Sequence, residues 1–364
     1  MSQSDATLKH DDGSLHEPAP QAGLASLSPA YFGMVMATGI VSLAAWMRGW
    51  PRLAEFLFAL NLAVYVLLWV LYLLRLFRHP RRFLGDLFDH LLGPAFFTVV
   101  AATGVLGSQF LLLDSALRAS WMLWTLAIAL WLVLTYTIFT VLTVKENKPT
   151  LDRGISGGWL LAVVATQSLT VLSALLAART GQPWKLELNY FALSMWLWGG
   201  MLYIWMMSLI FYRYTFFRFQ PHDLSPPYWI NMGAMAISTL AGSLLILNAD
   251  EAPFLTSVLP FIKGFTVFYW ATGTWWIPML LVLGVWRHVY KRFPLRYDPL
   301  YWGAVFPLGM YAACTHQLAL AMKLDFLDPI PDLFFAAAIA AWTATFLGAL
   351  RRGAQSLLAL RAAG

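Results

Sequence analysis

Apolar residues in this chain fall into long runs, separated by short stretches where charges and prolines gather, from about residue 29 to residue 350. Most runs approach the roughly 20 residues that an α-helix needs to cross the hydrocarbon core of a bilayer. Divided at the charged or proline-containing breaks, they predict ten helices at 29–47, 54–74, 91–112, 119–143, 158–178, 189–212, 227–247, 264–286, 301–320 and 333–350. The eighth is set to begin at Gly264, after Pro260 and Lys263, leaving the segment before it as an external loop. The fold class is therefore an all-α, polytopic membrane protein whose transmembrane domain spans 28–350. Residues 1–27 are polar, carry Pro18 and Pro20, and read as a disordered tail, with 351–364 as a short tail at the other end.

Ten crossings place alternate connections on opposite faces, so the basic residues test the count. The N-terminal tail, the connections after even helices and the C-terminal tail hold 17 of the 24 Lys and Arg, against 7 in the connections after odd helices. Both termini are thus expected in the cytoplasm, with the chain multi-pass in a bacterial-type inner (plasma) membrane. A missed helix in the middle would swap the later loops between faces and erase most of this bias.

The helices also repeat in pairs. Ala37, Thr38 and Gly39 of the first helix recur 65 residues later as Ala102, Thr103 and Gly104, and Ala165 and Thr166 follow 63 residues further on. The seventh and ninth segments share an aromatic opening and then a middle of small and hydroxyl residues. The even helices are bulky and hold 12 of the 18 tryptophans. Small residues let membrane helices approach closely, while tryptophan favours lipid interfaces and large contacts. A two-helix unit of about 65 residues, five times over, suggests a slim inner ring inside a bulky outer one.

Composition narrows the chemistry. The chain is 60% hydrophobic and 12% charged, and its net charge of +6 comes from short scattered clusters that form no basic face for nucleic acid. Cys314 stands alone, and the seven histidines show no helical i, i+4 pair and no local cluster with glutamate, so no metal site, cofactor or nucleophile constellation is expected and the chain does not read as an enzyme. Ionisable residues within the spans are almost absent. Asp86, Asp89 and His90 fall at the mouth of the third helix; His316 lies in the outer half of the ninth. His316 and His90 are the candidates for pH sensitivity, the other reading of His316 being a hydrogen-bonded helix contact and of His90 a solvated loop.

Hydroxyls and small residues remain at corresponding depths: Thr38, Ser42, Thr103, Thr166, Ser168, Ser238, Thr239 and Thr315. Any one of them can bond back to its own helix. As a recurring set they are candidate pore-lining residues, since hydroxyl and backbone dipoles replace part of an anion's hydration without trapping it. Phe306 directly precedes Pro307 in the ninth helix, where a proline kink can turn the preceding ring toward an axis and close a narrow pore.

The opening YFGMVMATGIVSLAAW, the segment VFPLGMY and the ten-span pattern resemble the tellurite-resistance/dicarboxylate transporter family, which includes slow-type anion channels and fungal malate and sulfite transporters. The resemblance implies five helical hairpins in quasi-fivefold order around a central pore, odd helices inside, and a homotrimer in membrane lipid. It implies Phe306 as the pore gate, with Pro94 and Pro307 as helix kinks. The function it implies is passage of small anions, of the chloride or nitrate type or a four-carbon dicarboxylate such as malate. A proton-coupled transporter of dicarboxylate, sulfite or tellurite, using His316 or His90, is the alternative.

Overall fold

Slim and bulky helices alternate along the chain, and the computed structural model shows what that alternation builds. The structure describes residues 23–295 and 297–362; the tail predicted over 1–27 lies outside the described residues as far as residue 22. Ten long helices follow in pairs: α1 (Phe32–Met47) and α2 (Pro51–Arg78), α3 (Phe97–Leu113) and α4 (Leu117–Val144), α5 (Leu161–Arg179) and α6 (Trp184–Phe216), α7 (Ile230–Leu247) and α8 (Pro253–Val285), α9 (Trp302–Met322) and α10 (Pro329–Ala362). No β-strand occurs among the described residues. Each odd helix packs on the even helix that follows it. The odd helices also touch in the order α1, α3, α5, α7, α9, and α9 returns to α1. Five hairpins thus close into an inner ring of odd helices with the even helices outside.

Side-chain size explains the division. Of the most apolar stretch of α7, 94% is buried, against 17% in α10. Close packing in the ring depends on missing side chains: a Cβ on Gly233 would lie 2.7 Å from Pro307 Cγ, and one on Gly104 would lie 3.0 Å from Ser168 Oγ. The outer helices instead expose Leu67, Met122, Val133 and Val282. In water such a surface would cost about 25 cal/mol per Å² of apolar area. In lipid the penalty vanishes. Among the described residues nine helical segments are long and apolar enough to cross a membrane, and the protein is an integral, multi-pass membrane protein. α9 falls outside that class while being of comparable length, because Thr315, His316 and Gln317 follow one another in it.

Helix boundaries depart most from the sequence expectation in α8 and α10. α8 begins at Pro253, eleven residues before Gly264, and carries Pro260, Lys263 and Pro278 inside it. Its buried stripe explains this: Leu255, Ile262, Thr266, Tyr269, Gly273, Trp276 and Leu280 recur at helical spacing from the first turn onward. Packing along that stripe outweighs the hydrogen bond lost at Pro260. The external loop expected there is helix. α10 likewise extends beyond 333–350 at both ends.

The outer helices all end where the inner helices begin, and one basic residue near each of those ends reaches the chain that leads into its own hairpin. Arg75 Nε donates to the Ala25 carbonyl (3.2 Å), Lys145 Nζ to Phe88 (3.2 Å) and Arg213 Nε to Asp152 (2.7 Å). Arg287 does the same to the Leu224 carbonyl, and Arg352 to that of Tyr297. The loop cations that set the sequence bias therefore also tie off each hairpin at one common end.

Candidate functional site

Every inner helix starts with the same device, a 3-10 turn: Pro29–Tyr31, Gly93–Phe96, Gly157–Leu160, Pro226–Trp229 and Pro299–Tyr301. Proline suits such a start because its missing N–H would have had no helical partner. Side-chain caps fix three of the five: Ser28 Oγ accepts from the Ala30 N–H (3.2 Å), Ser156 Oγ from Gly158 (3.3 Å) and Asp298 Oδ1 from Leu300 (2.8 Å). Pro94 belongs to this device. The structure places it in the opening turn of α3, so it starts that helix rather than kinking it, a correction to the resemblance-based expectation. Pro307, by contrast, lies inside α9.

The shared start sets a shared register. Four residues past Pro29, Pro94, Gly157, Pro226 and Pro299 stand Gly33, Thr98, Leu161, Ile230 and Gly303, and all five line one cavity of about 510 Å³. Seven past, Met36 and Phe306 reach the same cavity. Eleven past are Ile40, Val105, Ser168, Ile237 and Met310, which surround a space of only about 20 Å³. Eighteen past are Met47, Leu112, Leu175, Leu244 and Gln317, which line a third cavity of about 350 Å³. Steps of four and three residues keep one helix face on the axis. The result is a wide vestibule, an apolar constriction with room for about one water, and an outer cavity.

The vestibule lies at the end where the inner helices begin. Five helix N-termini converge there, each equivalent to roughly half a positive charge. Arg153 and Arg213 add full charges, with Asp152, Asp223 and His222 on the same wall. Arg213 is buried and held on three sides: by the Asp152 carbonyl, by Asp223 Oδ1 at 2.9 Å, and by the Tyr228 hydroxyl. Thr150 hydrogen-bonds Asp152 and holds its carboxyl below the usual range. Phe306 is 1% exposed and forms part of the vestibule wall on the side of the constriction.

The recurring hydroxyls do different work. Trp342 Nε1 donates to Thr38 (2.9 Å), Tyr65 OH bonds Thr103 (2.9 Å), Trp131 Nε1 donates to Thr166 (2.9 Å), and Trp270 Nε1 donates to Thr315 (3.0 Å). Trp196 Nε1 reaches the Ser238 carbonyl (2.9 Å). In each case an aromatic residue of an outer helix grips the next inner helix around the ring. Ser42 donates to the Ala54 carbonyl, and the Ser238 and Thr239 hydroxyls donate back within α7. The walls of the three axial cavities are formed by other residues, among them hydroxyls outside the candidate set, Thr98 and Ser108, together with Ser168. Counting from the opening turns is the signal that finds them.

The two histidines are apart from each other and from the constriction. His316 Nδ1 lies 3.5 Å from Arg48 Nη1, and Arg48 pairs with Asp332 at 2.6 Å. His90 stands beside the vestibule, where Trp159 Nε1 donates to its carbonyl (2.9 Å). Burial, reinforced by the Lys145 ammonium, keeps the His90 imidazole below its ordinary range, so it is neutral at pH 7.

Residues 26–350 match the family described as voltage-dependent anion channel. The chain belongs to that family. It is also similar to an uncharacterized transporter of Methanocaldococcus jannaschii, 26% identical over 85% of this chain and 90% of the relative. A second transporter of that organism, also uncharacterized, is 26% identical over 83% and 86%. An uncharacterized membrane protein of Mycobacterium tuberculosis is 40% identical over 43% of this chain and 79% of its own length. Members of the voltage-dependent anion channel family are channels and transporters, not enzymes, so anion transport is the general activity that membership assigns to the five-hairpin ring. The convergence of five helix N-termini on the vestibule and the uncharged constriction of this family member fit that activity.

Proposed function

We propose that the protein is an anion channel or channel-like uniporter, passing small anions down their electrochemical gradient across the plasma membrane. The observation that carries this reading is the convergence of five helix N-termini, Arg153 and Arg213 on one vestibule, ahead of an axis lined by uncharged side chains. Such a vestibule concentrates anions electrostatically. Weak dipoles beyond it release them again, as conduction requires. The excess of basic residues collected at this end supports a cytoplasmic vestibule.

Phe306 is the gate in this reading. It lines the 510 Å³ vestibule one helical turn before Met310 of the 20 Å³ constriction, a position that supports a ring controlling entry to the narrow part of the path. Pro307 supports the assignment by removing the backbone hydrogen bond next to the ring, which eases local rearrangement. Chloride- or nitrate-type anions and four-carbon dicarboxylates such as malate are the candidate substrates. A homotrimer with one pathway per subunit completes the proposal, and mass photometry of the purified protein would count the subunits.

Reconstitution into liposomes tests this reading. Voltage-driven anion flux without a pH gradient is the expected result, and bi-ionic potentials for chloride, nitrate, sulfite and malate would rank the ions. A proton-coupled exporter of dicarboxylate, sulfite or tellurite predicts instead a reversal potential that follows the pH gradient and ceases to do so in His316→Gln or His90→Gln.

A further inference from the structure

Outer helix α8 ends unlike α2, α4 and α6. It passes into a π-helical turn, Trp286–Tyr290, a deviation that often accompanies functional sites. Against that turn lies a pocket of about 190 Å³, walled by Trp229, Gly284, Arg287, His288 and Tyr301 and sharing Ser225 and Tyr228 with the vestibule wall.

The chemistry of the pocket is unbalanced. Arg287 uses one terminal nitrogen on the Leu224 carbonyl, and its guanidinium carbon sits 4.4 Å from the Phe293 ring centroid. Its Nε, however, is buried without a hydrogen-bond partner. A buried donor on a cation is costly to leave unmatched. Asp298 lies within electrostatic range but is engaged as the cap of the Leu300 N–H. His288 Nδ1 lies 2.9 Å from the Phe293 carbonyl, so that nitrogen carries the proton and the ring is fixed in place. One turn earlier on the same wall, a Cβ on Gly284 would meet nothing within 4 Å, so the pocket is open there. The neighbouring face of α8 and its π-helical turn exposes Leu281, Val282, Val285 and Val289, the surface that meets lipid tails.

We propose that this pocket binds a phosphate group at the basic end of the bundle, with the Arg287 guanidinium as principal donor and the Ser225 and Tyr301 hydroxyls as further donors. Basic pockets between membrane helices on the cytoplasmic side suit lipid headgroups, and guanidinium suits phosphate. The phosphate of an anionic phospholipid, its tails along Leu281 and Val285, and free inorganic phosphate share this chemistry.

Thermal unfolding of the purified full-length protein in neutral detergent separates the sources. Phosphatidylglycerol should raise the midpoint saturably by a few degrees, while phosphatidylcholine should not. Gly284→Leu fills the open wall and leaves Arg287 in place; it should abolish the rise, as should Arg287→Gln. Inorganic phosphate giving the same Gly284-sensitive rise assigns the pocket to the free ion; phosphatidylglycerol alone giving it assigns the pocket to lipid. Native mass spectrometry of the Tyr301→Phe protein, which retains both Gly284 and Arg287, should show fewer bound phosphatidylglycerol molecules than wild type and so covers the case where Gly284→Leu does not fold. No rise with either phosphate probe, a rise undiminished in Gly284→Leu, or lipid counts unchanged in Tyr301→Phe would overturn the site.

Discussion

At one mouth of the axial pathway five inner helices begin; at the other they end. The first mouth is a 510 Å³ vestibule with Arg153, Arg213, Asp152, Asp223 and three serines on its walls. The second is a 350 Å³ cavity lined chiefly by Leu43, Leu112, Leu175, Leu240 and Leu244, with Ser108 and Gln317 as its polar side chains. Helix dipoles sharpen the contrast, being positive at the first mouth and negative at the second. In the proposed function these dipoles favour an anion at the first mouth over the second. Directionality in this fold follows from the parallel run of the inner helices, before any particular side chain is considered.

Phe306 is the proposed gate between the two mouths, and removing its ring should have the largest effect. Phe306→Ala is expected to raise liposome anion flux by at least about tenfold, equivalent to roughly 1.4 kcal/mol off the barrier. Unchanged flux in a folded variant would remove the gate from Phe306. Arg213 comes next, since it is both the buried charge of the vestibule and the tie of the third hairpin. Arg213→Gln breaks the pair with Asp223 and the bonds to the Asp152 carbonyl and Tyr228, and should lower the unfolding midpoint measured in detergent. The milder Arg153→Gln keeps the fold and should lower flux several-fold at low salt, with the deficit shrinking as salt screens the vestibule.

Gln317 offers the converse test at the leucine-lined mouth. Gln317→Glu places a negative charge beside five helix C-termini and should reduce anion flux several-fold, whereas Gln317→Lys should raise it and weaken the asymmetry between the mouths. If both variants conduct like wild type, the outer cavity is not on the path.

Much of this architecture was legible in the sequence. The ATG of Thr38 and Thr103, the slim and bulky alternation, and the divided loop charges together gave hairpins, a repeat and an inner ring, because each depends on residue size and polarity. The direction a hydroxyl faces depends on neither. Thr166 and Ser168 are two residues apart in one helix, yet Thr166 bonds Trp131 of the outer ring while Ser168 faces the constriction. Pro94 and Pro307 look alike as letters, and only the opening turn of α3 separates a helix start from an interruption. Residue types specified what was repeated. The turn from which each helix is counted specified which face met the axis.

That distinction predicts a pair of opposite outcomes. Thr166→Val deletes the acceptor of Trp131 and should lower the unfolding midpoint by the equivalent of about 1 kcal/mol, with anion selectivity unchanged. Ser168→Ala removes the one hydroxyl at its level of the constriction and should alter relative permeabilities about twofold, with the midpoint nearly unchanged.

The smallest effect is expected at His90, beside the vestibule but off the constriction. Its imidazole titrates below the unfolded value of about 6.5, because burial and Lys145 disfavour the charged ring. A histidine shifted this way contributes stability that is full above the unfolded pKa and is lost as pH falls from there toward the folded pKa. Wild type should therefore lose stability as pH drops below about 6.5, and His90→Gln should flatten part of that slope, read as unfolding midpoints between pH 7.5 and 5. Flux near pH 7 should be the same in both, since the ring is already neutral there. If His90→Gln instead shifts the reversal potential under a pH gradient, the vestibule carries protons as well as anions, and the contrast between a charged mouth and an uncoupled axis fails.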